Sequence, residues 1–322
     1  MKSMGAIFWN PNKHRLRALW RIALQTIFWF AATVILLVPF MPFLPEGETA
    51  MESGFDIAIA LLCPAILLAV WLAGRVLDRR PFTDFGLTLG GGWWLDFGFG
   101  LFLGGLLITL VFLTELAAGW VTITGVLAAP AGKSFGIAML APVAMFVLIG
   151  IQEETLFRGY HLINIAEGVR GRRVGARGAV IIATLVTAAV FAAVHLFNEH
   201  AGPLAMAGVF MLGIITAAGC VLTGELAIPI GLHITWNFFQ DAVFGFPVSG
   251  GDLSPATFVV TQTHGPALWV GDAFGPEAGL LAISAMVIGI GLIALWVRLR
   301  RGCIRLHPTL GGQLASAPGK TV

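Results

Sequence analysis

Runs of about 20 predominantly apolar residues, each able to carry an α-helix across roughly 30 Å of hydrocarbon, recur eight times along this chain. They cover residues 22–44, 57–74, 97–118, 136–157, 178–197, 203–222, 226–246 and 277–297. Backbone in hydrocarbon must satisfy its own hydrogen bonds, so such a pattern leaves little besides a helical bundle. The connections are polar or rich in Gly and Pro, such as LPEGETAMESG, RVLDRRPFTD, GVRGRRVGARG and the long segment from GDLSPATFVV to GDAFGPE. Composition agrees with the pattern: 57% of residues are hydrophobic and 11% charged, against about 25% charged in an ordinary soluble domain.

The basic residues orient the bundle. Five Lys or Arg precede the first run, three lie between the second and third, five fall between Arg158 and Arg177, and five follow the eighth, leaving Lys133 alone on the other side. Cytoplasmic loops are enriched in Lys and Arg, so the expected fold is all-α: a polytopic transmembrane bundle of about eight spans with both termini cytoplasmic. No second domain is left over, and residues 1–322 read as one integral membrane domain. The first run follows Lys2, Lys13, Arg15, Arg17 and Arg21 but is about twice as long as the apolar core of a cleaved signal peptide. It reads as a retained anchor. Cys63, Cys220 and Cys303 are scattered, which supports neither a disulfide framework nor a cysteine metal site. A net charge of +2 without aromatic-interleaved basic runs excludes nucleic acid as a partner. No internal repeat of the transporter kind is evident. Richness in Ala, Gly and Arg suggests a bacterial inner membrane.

An ionisable residue at bilayer depth costs roughly 2.5 to 3.5 kcal/mol on insertion scales and needs a partner, a cavity or an interface. Asp96, Glu115 and Asp241 fall near run ends, where interfacial water suffices, and Glu277 opens the eighth run, where a helix N-terminus favours a carboxylate. The fourth run, APVAMFVLIGIQEETLFRG, is different, because Glu153 and Glu154 are adjacent in an apolar helix. Glu154 and Arg158, four apart, are neighbours on one face and can pair. Glu153 points about 100° away and must face another helix. The fifth run offers His195, four residues after Phe191, and the seventh offers His233, four before Asn237. A single histidine or asparagine in a membrane helix is ordinarily interhelical glue. An unpaired acid, two bases and an amide on three helices suit hydrolysis of an amide bond instead. A carboxylate and an imidazole sharing a water can act as general base, while the other imidazole and the amide stabilise an oxyanion. The same set could hold Zn²⁺ through Glu153, His195 and His233, leaving a fourth position for water.

EETLFR, FAAVH and HITWN resemble the EExxxR, FxxxH and HxxxN signatures of the CPBP intramembrane proteases. That family includes the Rce1-type prenyl-protein (CAAX) endopeptidases and bacterial proteins linked to bacteriocin processing and self-immunity. The resemblance covers about residues 136–246, the expected catalytic core. It implies that Glu153 with His195 activates the water, that His233 with Asn237 supports the oxyanion, and that Glu154 and Arg158 are the supporting pair. The family has been read both as metalloproteases and as metal-free glutamate enzymes. Neither histidine has an acid within three residues to hold its second nitrogen, so a metal-free water is favoured over zinc. On these boundaries His195 lies more than about 10 Å from the level of Glu153 and His233 along upright helices, a gap that tilt must close. The expected function is an intramembrane endopeptidase acting on a membrane-associated peptide or protein within the lipid. The alternatives are an ion-coupled transporter and a non-catalytic immunity or scaffold protein.

Overall fold

Each apolar run forms a helix in the computed structural model, which describes residues 5–11, 13–43 and 48–307. Lys2 and Leu44, the expected end of the first span, lie outside the described residues. The helices are α1 (Ala18–Leu37), α2 (Glu48–Ala73), α3 (Gly91–Ala117), α4 (Leu140–Glu154), α5 (Leu162–Val169), α6 (Ala176–Val194), α7 (Pro203–Thr223), α8 (Ala227–Phe238) and α9 (Leu280–Arg301). The seven stretches Ala18–Leu37, Leu61–Asp78, Gly91–Ala117, Phe135–Val169, Ala176–Phe197, Pro203–Thr223 and Leu280–Arg301 are long and apolar enough to cross a bilayer. The chain is an integral membrane protein. Outward positions such as Phe30, Phe102, Ile181 and Ile288 are exposed and apolar, the surface that lipid solvates.

The run expected at 226–246 is the exception in length. α8 has 12 residues and continues as a five-residue π-helical segment, Phe239–Val243. It is buried almost throughout. A helix surrounded by other helices need not match the hydrocarbon thickness, because its backbone and side chains meet protein rather than lipid. Its neighbours are α3, α4 and α7. Contact with α3 is close because Gly100 and Gly104 form a G-x-x-x-G pair: an added Cβ would run into the Ile228 and Leu232 carbonyls of α8. Thr235 Oγ1 donates to the Leu101 carbonyl at 2.7 Å across the same contact.

The fourth run extends further than its expected end at 157. α4 passes through a π-helical segment, Thr155–His161, directly into α5, giving a helical stretch of 35 residues from Phe135 to Val169. Glu153 therefore falls near its middle. The long segment expected as pure connection contains a strand, β2 (Thr257–Thr263), which pairs antiparallel with β1 (Val121–Ala128) beyond the end of α3. Hairpin-like pairing across so many residues has no local signature.

Buried ion pairs gather the basic residues at one end of the bundle. Asp78, after α2, accepts hydrogen bonds from Arg21 of α1 and, at 2.7 Å, from Tyr160. Glu167 of α5 is met by Arg15 at 2.7 Å, Arg21 at 2.9 Å, Arg80 at 2.8 Å and Lys13 at 3.2 Å. Asp96, expected to rely on interfacial water, is instead buried and held by Arg300, Arg301 and the Trp296 indole of α9. These contacts put the start of α1, the ends of α2 and α5, the start of α3 and the end of α9 on one side, as the Lys and Arg census requires.

Candidate active site

Close helix approaches bring the polar residues of the fourth, fifth and seventh runs together. Gly150 lies one turn before Glu154 and faces Ile230 and Ile234 of α8, where a Cβ would come within 2.7 Å of the Ile234 side chain. This lets α4 and α8 meet, and the Glu154 carboxylate reaches His233 Nδ1 at 2.8 Å. Glu154 also accepts from Arg158 Nη1 at 3.1 Å, the i,i+4 pair expected from sequence, and is thus shared by a guanidinium and an imidazole. Arg158 continues to the Gly213 carbonyl of α7 at 3.2 Å and stacks 4.5 Å over the Phe191 ring. All three of Glu154, Arg158 and His233 are buried.

A carboxylate only accepts, so His233 Nδ1 carries a proton and Nε2 is the atom free for chemistry. That Nε2 lies 3.8 Å from Oε2 of Glu153, as the 100° offset between the adjacent acids predicts: one holds the imidazole from behind, the other faces it. Asn237 lies one turn beyond His233 on α8 and is also buried. Glu153 Oε2 has no hydrogen-bond partner among the described residues. Neither do Gln152 Oε1, Glu154 Oε2, Thr155 Oγ1 and Arg158 Nε, so several such atoms sit together in α4 and its π-helical extension; both oxygens of the buried Glu115, expected to rely on interfacial water, and atoms of Arg21, Gln25, Trp29 and Thr33 on α1 are others. Buried polar groups ordinarily find partners, and a cluster that does not is where a water or substrate belongs.

His195 begins a 3-10 turn at the end of α6. There the backbone N–H of His195 turns to Ala192, and the Phe191 carbonyl accepts from the ring Nδ1 at 2.8 Å instead. Again Nε2 is left outward. Phe191, one turn before His195 as the spacing expects, gathers contacts that the spacing does not show. Its ring lies 4.7 Å from the His195 ring and 6.3 Å from that of His233, with Arg158 on it. The His195 and His233 rings thus share Phe191 as a neighbour. Among the described residues no hydrogen bond or ion pair joins His195 to either glutamate; the imidazole in direct reach of Glu153 is that of His233.

The second nitrogen of His233 is held by the Glu154 carboxylate of another helix and that of His195 by the Phe191 carbonyl of its own, which is how catalytic zinc histidines are held. The donors themselves are not gathered. Among the described residues no three His, Cys, Asp or Glu side chains converge as a set for a metal ion, so Glu153, His195 and His233 do not fit zinc as they stand.

Glu277 lies outside the expected core and on a 3-10 turn before α9 rather than in the helix. It is buried and accepts from Gln240 Nε2 at 2.5 Å, Ser249 N at 2.6 Å and Ser249 Oγ at 2.8 Å. The Ser249 carbonyl accepts from Asn198, three residues after His195, at 3.0 Å. Glu277 thereby ties the His195 turn to the far end of α8.

Residues 135–239 match the family model described as type II CAAX prenyl endopeptidase Rce1-like. An uncharacterized 24.3 kDa protein of Escherichia coli is 31% identical over 104 residues, which make up 32% of this chain and 44% of that relative. The matched part thus spans less than half of the relative's length. No solved structure matches the chain significantly. The matched segment contains Glu153, Glu154, Arg158, His195, His233 and Asn237.

Proposed function

We propose that this chain, with its Rce1-like core, is an intramembrane endopeptidase of a bacterial plasma membrane that hydrolyses a peptide bond with a glutamate-activated water. The observation that carries the reading is the relation of Glu153 to His233: a partnerless carboxylate oxygen 3.8 Å from an imidazole nitrogen whose other nitrogen is fixed by Glu154. The separation is too long for a hydrogen bond, yet an oxygen about 2.8 Å from each atom fits between them. That oxygen is the water or the developing oxyanion.

Glu153 takes a proton from the water as the water oxygen bonds to the carbonyl carbon, and the C=O pair moves onto oxygen. His233, protonated on both nitrogens in this state and backed by Glu154, donates from Nε2 to that oxyanion, together with the Asn237 amide one turn away. His195 Nε2 holds the water in line. Collapse expels the amine, which recovers the proton from Glu153. Arg158 holds Glu154 in place, and no step requires a metal.

The description of the matched family points to a C-terminal prenylated peptide as the first substrate class to try, followed by peptides with other membrane anchors. The decisive experiment is cleavage of such peptides, followed by mass spectrometry, by purified protein in nanodiscs and by its Glu153→Gln and His233→Ala variants. Cleavage lost in both variants, with melting temperature kept in Glu153→Gln, is the expected result. Wild-type turnover by Glu153→Gln overturns the assignment. Elemental analysis of the active protein with chelator titration tests the metal-free mechanism, which stoichiometric zinc and activity restored by zinc would replace.

A further inference from the structure

A cavity of about 400 Å³ opens at the basic end of the bundle, between the start of α1 and the end of α5. Arg17, Arg21 and Arg170 line it, and Glu167 is its one lining carboxylate. That carboxylate is already engaged by Lys13, Arg15, Arg21 and Arg80. Asp78 is likewise occupied by Arg21 and Tyr160. Four cationic side chains, Lys13, Arg15, Arg21 and Arg80, therefore share these two carboxylates, and the excess is positive. The Arg21 side chain is 1% exposed and its Nε–H has no acceptor among the described residues. Ala18 and Leu19, the first turn of the 20-residue α1, also border the cavity, and among the described residues no side chain caps that helix. An uncapped helix start beside three guanidiniums is a site for an anion.

Asn10 also lines the cavity, and Leu16, Leu19, Ile22, Ile165 and Val169 make much of the remaining wall apolar. Leu19 is 72% exposed and leads onto the outward face of α1, where Ile27 and Phe30 are exposed as well. A soluble anion has no use for such a path, whereas acyl chains do. We propose that this cavity binds the phosphate of an anionic phospholipid headgroup, with the acyl chains lying along α1. The position fits, because the basic end of a membrane bundle lies at headgroup level on the side where anionic lipids are met. The proposal is independent of the peptidase reading.

The test uses full-length protein purified in detergent and stripped of lipid. Phosphatidylglycerol, phosphatidylcholine and inorganic phosphate are each added, with native mass spectrometry and melting temperature as readouts. Variants are Arg17→Gln/Arg170→Gln, which spares the buried Arg21 network, and Arg305→Gln, an exposed arginine elsewhere. Phosphatidylglycerol adducts and a raised melting temperature in wild type and Arg305→Gln are expected, with apparent affinity roughly 30-fold weaker in the double variant, about 1 kcal/mol for each arginine removed. Equal response to phosphatidylcholine, or an undiminished response in the double variant, overturns the proposal. A matching response to inorganic phosphate alone also overturns it, because the site would then take a soluble anion. If the double variant is unfolded before lipid is added, Arg170→Gln alone is compared, with a weakening of about fivefold expected.

Discussion

Two clusters of buried charge occupy this bundle, and they differ in the fate of each carboxylate oxygen. At the basic end, both oxygens of Asp78 and both of Glu167 meet a guanidinium, an ammonium or the Tyr160 hydroxyl. At the centre, Glu153 and Glu154 each keep one buried oxygen without a partner. Both clusters draw on acids and arginines and both join distant segments of chain. Only the central one leaves proton-accepting atoms unsatisfied beside imidazoles. A saturated cluster fixes helix ends, whereas an unsaturated one at a helix crossing holds capacity in reserve for something that is not protein.

The largest effect that tests this contrast is on turnover. Glu153→Gln removes a proton acceptor that makes no hydrogen bond among the described residues, so kcat falls by about 10³-fold, within the range for general-base removal, while the melting temperature holds. Cleavage assays and thermal melts on the same preparation check both halves. A variant that unfolds would place Glu153 with the structural acids of the basic end and erase the distinction.

Glu154→Gln and Asp78→Asn come next and should behave alike in stability and differently in activity. Each strips the charge from a buried acid that holds an arginine, a loss typically of about 3 to 5 kcal/mol. Chemical denaturation of each in mild detergent measures it. Protein rescued at low temperature should cleave normally with Asp78→Asn and not with Glu154→Gln, since only Glu154 backs His233. Normal cleavage by both would reduce Glu154 to a helix fastener.

Most of the bundle, and the residues proposed for the candidate site, are legible in the sequence because the membrane simplifies the code: 20 apolar residues mean a helix, and a charge among them needs a reason. Glu153, Glu154, His195 and His233 stand out on that ground alone. What stays hidden is whatever depends on contact between distant segments. The G-x-x-x-G of Gly100 and Gly104 is visible, but not that it receives α8. Phe191 is visible as the residue one turn before His195, but not that Arg158 and two imidazoles gather around it. The pairing of β1 with β2 and the saturation of Asp78 and Asp96 are non-local in the same way. The expected end of the fourth run at 157 fails because Arg158 suggests an interface, whereas the helix carries it inward to Glu154 and runs on to Val169.

A smaller perturbation probes the saturated cluster by itself. Tyr160→Phe deletes one hydrogen bond to Asp78 without touching the ion pairs, and a bond to a charged acceptor is worth about 1.5 to 3 kcal/mol. Stability should drop by that much, with kcat per folded molecule unchanged. A fall in kcat larger than the fall in folded fraction would mean that the basic end is coupled to the chemistry.

The smallest effect concerns Glu277, which sits between the two classes: both its oxygens are satisfied, but only by the neutral donors Gln240 and Ser249. Burial pushes its carboxyl above the usual carboxylate range, while the bonds from Ser249 and Gln240 and the nearby His195 pull the other way without cancelling it. A folded-state value above the unfolded one means that the native protein holds this proton more tightly than the unfolded chain does. Its contribution is therefore full below the unfolded value of about 4.3 and is lost as pH rises through the folded value. Glu277→Gln resembles the protonated acid at every pH, but its amide nitrogen cannot accept the Gln240 bond, a loss of about 0.5 to 1.5 kcal/mol. Wild type should melt higher than the variant in mild acid, and the gap should shrink as pH rises toward neutrality and beyond. Melting curves of both proteins across that range measure the gap. A gap that widens with pH would mean that Glu277 is held as a paired anion like Asp78, and the separation of the two kinds of buried acid would have to be redrawn with Glu277 among the saturated ones.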